Sequence, residues 1–269
     1  FGMNIGIINI PALGVIGLSI ATLLSRIFSC LVLLLYCISL FKTKFVYSKS
    51  YLKELFRVGA PISASIFFEF LGFNIVAVLI GRFSAVFAGV HNIIICIANF
   101  SFMIILSISN AASVKISYFK GKNDILSIFK YAYSNIALVL CVCLVMFIIL
   151  TTNCSGIVSL FSNDLEVLYL AKKILIIAIC FLFFDGIQGA CVGILKGLKD
   201  TKVIMFATFI GYLFVGLPLG CYLAYFKNIV LEGFWIGLAF AIAVLAIITA
   251  TKAFINLRRL KTNYFLNNP

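Results

Sequence analysis

Residues 170–195 read LAKKILIIAICFLFFDGIQGACVGIL. After its opening lysines this run is apolar for long enough to cross a bilayer, since about 20 such residues cover roughly 30 Å of hydrocarbon. The two polar exceptions inside it are Asp185 and Gln188. Runs of the same kind occupy residues 13–41, 58–81, 88–114, 131–152, 203–226 and 231–257, which makes seven. They are continuous and lack the alternation of a lipid-facing barrel strand, so each is expected to be a helix.

The composition demands this reading. Apolar residues make up 64% of the 269-residue chain and charged residues 11%, against about 45–50% and about 25% in soluble domains. Twenty-eight Phe and a mean hydropathy of +1.22 exceed what the interior of a water-soluble particle of this size accommodates. Lipid must solvate the chain. No basic segment followed by a short apolar core and a cleavage site opens it, so no signal peptide is expected. Eight of the nine cysteines fall in or beside apolar runs and no CxxC occurs, so they read as small hydrophobes rather than a disulfide framework.

Twenty-one Lys and Arg against eight Asp and Glu give a net charge of +13. The basic residues alternate by loop. Lys42, Lys44, Lys49, Lys53 and Arg57 precede the second span, and Lys115, Lys120, Lys122 and Lys130 flank the third connection. Lys196, Lys199 and Lys202 flank the fifth, and Lys252, Arg258, Arg259 and Lys261 end the chain. The opposite side has only Arg82, Lys172, Lys173 and Lys227, with Arg26 inside the first span. Positive charge collects on cytoplasmic faces, so the richer face and the C-terminus are expected in the cytoplasm of a bacterial inner membrane. The charge is thereby an orientation signal, and nucleic acid is not an expected partner. A retinal protein needs a lysine deep in its last helix, and here the only lysine is Lys252, at the end.

The first span opens Leu13-Gly14-Val15-Ile16-Gly17-Leu18 and the last Gly233-Phe234-Trp235-Ile236-Gly237-Leu238. That echo suggests parallel repeats, common in transporters. The division expected is 1–41 as a loop and the last helix of a first lobe, 42–57 as a basic linker, 58–257 as a six-helix bundle, and 258–269 as a tail. Five helices of the first lobe are then expected ahead of residue 1.

Six of the eight acids lie in loops. Glu69 and Asp185 lie in apolar runs, where a carboxylate costs several kcal/mol and points to function. Glu69 is about 11 residues from one end of its helix and Asp185 about 10 from the same-side end of its own, so both sit roughly 15 Å deep. Transporters place substrate and ion sites at that depth. Two neighbouring carboxylates in low dielectric take up a cation, or one of them holds a proton. Gln188 and Ser65, each a helical turn from an acid, and Arg26, a charge inside a span, are candidate supporting residues. Nothing resembling a phosphate loop, nucleophile–base pair or metal cluster occurs, so no catalytic residue is expected.

Several stretches resemble the multidrug and toxic-compound extrusion (MATE) transporters of the NorM-like branch. They are Arg57-Val58-Gly59-Ala60-Pro61 with Phe67-Phe68-Glu69; Ala88-Gly89-Val90-His91-Asn92; Phe184-Asp185-Gly186-Ile187-Gln188; Gly193-Ile194-Leu195-Lys196-Gly197-Leu198-Lys199-Asp200-Thr201; and Leu217-Pro218-Leu219-Gly220. The resemblance implies an all-α membrane protein, with this chain supplying the sixth helix and C-lobe of a twelve-helix antiporter. It implies export of cationic amphipathic compounds against Na⁺ or H⁺, with no cofactor beyond that ion, by a monomer whose partner is the N-lobe. By that resemblance Glu69 and Asp185 match the acidic cation-site residues, with Na⁺ as the metal ion they would hold, and Asn92 stands in the His-Gln motif. Where related members have a Tyr one turn before the aspartate, this chain has Phe181. A lipid-linked oligosaccharide flippase of the same superfamily and a truncated remnant are the alternatives.

Overall fold

The computed structural model describes residues 3–5, 8–10, 14–40, 48–162 and 164–267. The chain forms two compact units, Phe1–Ser50 and Tyr51–Pro269. The first contains a small antiparallel hairpin, β1 (Met3–Ile5) and β2 (Ile8–Ile10), paired Met3 to Ile10, Asn4 to Asn9 and Ile5 to Ile8. The hairpin is a small addition to an otherwise helical chain. Helix α1 (Gly14–Leu40) follows.

The second unit is built from α2 (Lys49–Phe83), α3 (Ala85–Gly121), α4 (Ile125–Thr152), the short α5 (Cys154–Ser159), α6 (Leu165–Gly197), α7 (Lys202–Phe209), α8 (Leu217–Phe226) and α9 (Val230–Asn267). α7 and α8 are halves of one span, joined by π-helical turns over Ile210–Gly216. Seven helices are long and apolar enough to cross a membrane, at the seven expected places. They overrun the hydrocarbon-length runs. Residues 49–57, expected within a linker, are the start of α2, and α9 continues through the expected tail to Asn267. Lys, Leu, Glu and Arg dominate these extensions and are strong helix formers, so the helix continues into water until a breaker stops it.

α6 is the central helix. It packs closely on α3, α9 and α4, and Ile174, Leu175, Ala178, Phe181, Leu182 and Ile194 are buried along its length. Lipid tails remove most of the hydrophobic drive between helices, so van der Waals fit and small residues dominate. The contact of α8 with α9 shows this. A Cβ on Gly237 would lie 2.6 Å from the Gly216 carbonyl oxygen and 2.8 Å from the Gly220 nitrogen. Two of the sequence motifs, around Pro218 and Trp235, therefore pack on one another. Asn135 of α4 joins α6 by donating from Nδ2 to the Ala190 carbonyl at 2.9 Å.

The basic loops meet at one end of the bundle. Lys120 donates to the Leu198 carbonyl (2.6 Å), Thr201 to the Val58 carbonyl (3.1 Å) and Asn256 to Asp200 (2.8 Å), while Lys199 pairs with Glu54 (2.5 Å). All these residues belong to the side on which the loop charges are richer. The ion pair of Lys173 with Glu232 (2.6 Å) joins segments of the opposite side. α3 and α6 both finish in a left-handed residue, Asn123 (φ 57°) and Lys199 (φ 62°). In each, the next amide reaches back to the helix, Asp124 to Phe119 (3.0 Å) and Asp200 to Leu195 (2.9 Å), the paired pattern that satisfies terminal carbonyls.

Asp124 also starts α4, accepting from the Ser127 amide (3.1 Å) and hydroxyl (2.7 Å). Those hydrogen bonds hold its carboxyl below the usual aspartate range. The capping contribution is therefore complete above the unfolded value and lost as pH falls through the lower folded one. Thermal melting of the detergent-solubilised protein should show Asp124→Ala less stable than wild type at neutral pH. The gap should close at pH values below the ordinary aspartate range. Gly237→Val should cost about 1–3 kcal/mol by overpacking and lower the melting temperature. Gly89→Val, where a Cβ meets nothing within 4 Å, should change it far less.

Candidate functional site

Glu69 lies on α2 between Phe68 and Phe70 and is half-buried. Phe68 packs on Phe209 of α7 at 4.9 Å between ring centroids. Ser65, one turn earlier, is buried and donates its hydroxyl to the Ile62 carbonyl of its own helix at 2.7 Å. One turn after Glu69, Gly72 and Phe73 meet Tyr212: a Cβ on Gly72 would lie 2.9 Å from the Tyr212 ring, and the Phe73 and Tyr212 rings are 5.7 Å apart.

Asp185, on α6, is 3% exposed, and its Oδ1 has no hydrogen-bond partner among the described residues. Gln188, one turn on, is buried too. Phe181, one turn back, is held edge-on between Phe73 and Trp235, at 6.0 Å from each. The two carboxylates lie within electrostatic reach of one another, and Tyr212 within reach of both. Lys196, in the last turn of α6, acts on Glu69 in the same way.

Ser65 and Gln188 lie a turn from the acids along their own helices, and Glu69, Asp185 and Phe181 thus belong to one region, linked by the Phe73–Phe181 contact. Asn92 does not: it is exposed on α3, while its neighbour His91 is buried with its ring 5.8 Å from that of Trp235. Arg26 lies in the other unit, exposed on α1. Tyr212 and Lys196 are missing from the residues that sequence reasoning singles out. Lys196 is counted there only as an orientation charge, and Tyr212 has no sequence signal, being one of 11 tyrosines on a different span. All nine cysteines are free. A cavity of about 450 Å³ opens between α3, α4 and α6, lined by Ser101, Ile105, Leu140, Cys143, Phe147 and Leu182 among others. Neither carboxylate lines it, and its apolar walls suit acyl chains better than cations.

Among the described residues no three His, Cys, Asp or Glu come together as a metal cluster. The carboxylates of Glu69 and Asp185 are hard oxygen donors that suit a hard cation, and the Cys143 thiol of α4 lies within electrostatic reach of Asp185.

Seven membrane-length helices, with two carboxylates inside the bundle, define a multi-pass membrane protein. The MatE family model matches residues 61–222, and the chain belongs to that family. It is 35% identical over 195 residues to the probable multidrug resistance protein NorM of Xanthomonas campestris pv. campestris, covering 72% of this chain and 43% of that protein. It is 30% identical over 256 residues to the protein of the same name from Xylella fastidiosa, covering 92% and 55%. The chain therefore spans about half the length of these relatives. Among solved structures, the eukaryotic MATE transporter AtDTX14 superposes with a TM-score of 0.84 at 21% identity, covering 94% of this chain and 59% of that one.

Proposed function

We propose that this chain is the C-terminal part of a cation-coupled exporter that moves cationic amphipathic compounds out of a bacterial cell in exchange for Na⁺ or H⁺. The observation that carries the reading is the placement of Asp185, buried with an unpartnered Oδ1, within electrostatic reach of Glu69. Two carboxylates in a medium of low dielectric favour a compensating positive charge, whether metal ion, proton or organic cation. Because these compete for one pair of charges, binding of one weakens binding of the other, and the coupling is reciprocal. That is the thermodynamic requirement of an antiporter. The relatives named as multidrug resistance proteins support the same substrate class.

Glu69 and Asp185 bind the coupling cation in this reading, Ser65 and Gln188 orient them, and Phe181 fills the slot beside Asp185. The chain works with the remaining lobe of the same polypeptide by alternating access, as a monomer and without enzymatic chemistry. The basic end of the bundle and the C-terminus face the cytoplasm of the inner membrane.

Glu69→Gln and Asp185→Asn in the full-length transporter should each cut efflux of a fluorescent organic cation about ten-fold or more, with loss of its dependence on Na⁺ or pH. Unchanged efflux and ion dependence in both variants would overturn the site assignment. A green fluorescent protein fused after Pro269 should fluoresce and an alkaline phosphatase fused there should be inactive. The reverse result would invert the orientation.

A further inference from the structure

The cavity between α3, α4 and α6 is a groove rather than a closed chamber. Its floor is formed by buried Ser101, Ile105, Leu150 and Leu182, while Leu144 and Phe147 of α4 and Phe183 of α6 stand exposed at its rims. α4 is the least buried span of the second unit, which puts the groove on the periphery of the bundle, where hydrocarbon is the solvent. Ser101 donates its hydroxyl to the Ile97 carbonyl of its own helix at 3.4 Å, so it directs no donor into the groove. The volume of about 450 Å³ lies within the range of small-ligand sites. Its length follows α4: Leu140 lies near the middle of the apolar run 131–152 and Leu150 near its end, about 15 Å apart along the helix. That is one leaflet's share of a hydrocarbon core about 30 Å thick.

Lys172 stands beyond the mouth of the groove. Lys172, Ile176, Ile179 and Phe183 recur at spacings of three and four residues and so share one stripe of α6, and Ile179 and Phe183 line the groove. Lys172 is two turns ahead of Ile179, about 10 Å nearer the end of the bundle. It also lies within electrostatic reach of Cys154, which opens α5 just past Leu150. Its neighbour Lys173 is already paired with Glu232, whereas Lys172 is exposed and has no ion pair among the described residues. Glu166, six residues earlier on α6, belongs to another face of the helix. We propose that this groove holds one acyl chain of an anionic phospholipid, from the leaflet on the charge-poor side of the protein, with Lys172 on the lipid phosphate. A chain lying along α4 brings its phosphate out of the hydrocarbon at the level of Lys172. Van der Waals fit holds the tail, since surrounding lipid offers it equal apolarity but no matching shape, and the unpaired ammonium selects the headgroup charge.

The test is lipid binding by the purified full-length transporter in detergent, titrated with dioleoylphosphatidylglycerol or dioleoylphosphatidylcholine and read by native mass spectrometry as lipid retained on the protein. The wild type should hold one phosphatidylglycerol about five-fold more tightly than phosphatidylcholine, the effect of one lysine on one net headgroup charge. Lys172→Gln should bring phosphatidylglycerol down to the phosphatidylcholine level and leave phosphatidylcholine unchanged. Lys173→Gln, whose lysine already has a carboxylate partner, should leave both lipids as in the wild type. Leu144→Trp places an indole in the groove and should remove the tight site for both lipids. Ser101→Leu fills the groove from its floor and serves if Leu144→Trp fails to fold. Wild-type retention in the filling variants would overturn the groove as the site. Unchanged selectivity in Lys172→Gln, or equal losses in Lys172→Gln and Lys173→Gln, would overturn the role of Lys172. A wild-type protein that retains neither lipid would overturn both.

Discussion

A carboxylate held inside a lipid-solvated bundle is the constraint around which this molecule is arranged. Hydrocarbon offers no water to complete a hydrogen bond, so the backbone must satisfy itself as helix and any charge must be enclosed by protein. Asp185 meets that condition by sitting on α6, the helix with neighbours on most sides. Close packing against α3, α4 and α9 gives the carboxylate a fixed place and excludes lipid from it. The small residues that permit such approach follow from the same need, since helices in lipid gain little from burying apolar surface against each other.

Glu69 is held differently. The close backbone approaches of the bundle are among α3, α4, α6, α8 and α9. α2 adds Val76 and Ile80 to the core, but around Glu69 its links are aromatic rings, Phe68 on Phe209 and Phe73 on Phe181 and Tyr212. One acid thus sits on the rigid centre of the bundle and the other on a helix attached through long side chains. On the proposed reading, a cation shared between them would draw α2 towards α6, and its departure would let the two like charges push α2 away. Ring contacts of about 5–6 Å between centroids tolerate such tilting better than glycine-mediated contacts do.

Composition made the spans legible, because lipid solvation imposes a length and an apolar content that loops do not share. The loop charges made the common end legible, and the polar contacts of Lys120, Lys199, Asp200 and Thr201 agree with it. Glu69 and Asp185 stood out because a carboxylate in an apolar run is costly whatever surrounds it. Helix ends were less legible: the hydrophobic signal stops at the bilayer surface, while helix propensity carries α2 and α9 beyond it. Asn92 drew notice from its place beside His91, yet consecutive helical residues point about 100° apart, so one is buried and the other exposed. Tyr212 was invisible for a related reason. Its position depends on a change of helical register, which no periodicity in the sequence announces.

That register gives the broken span a double connection to the site. Tyr212 holds the π turn through its carbonyl and packs its ring against Gly72, one turn from Glu69, so displacement of either disturbs the other. The turn itself rests on α9, where Gly211 and Gly216 approach Ala241 so closely that a Cβ on either would lie within 3 Å of it. α9 also carries Trp235, which backs Phe181 and, through it, the turn of α6 leading to Asp185. A movement at the turns of α2 and α6 that carry the acids therefore reaches one helix along two routes, through the π turn and through the edge-on rings. Both routes meet on the stretch of α9 between Trp235 and Ala241, so the two acid-bearing helices and the broken span share one backing helix.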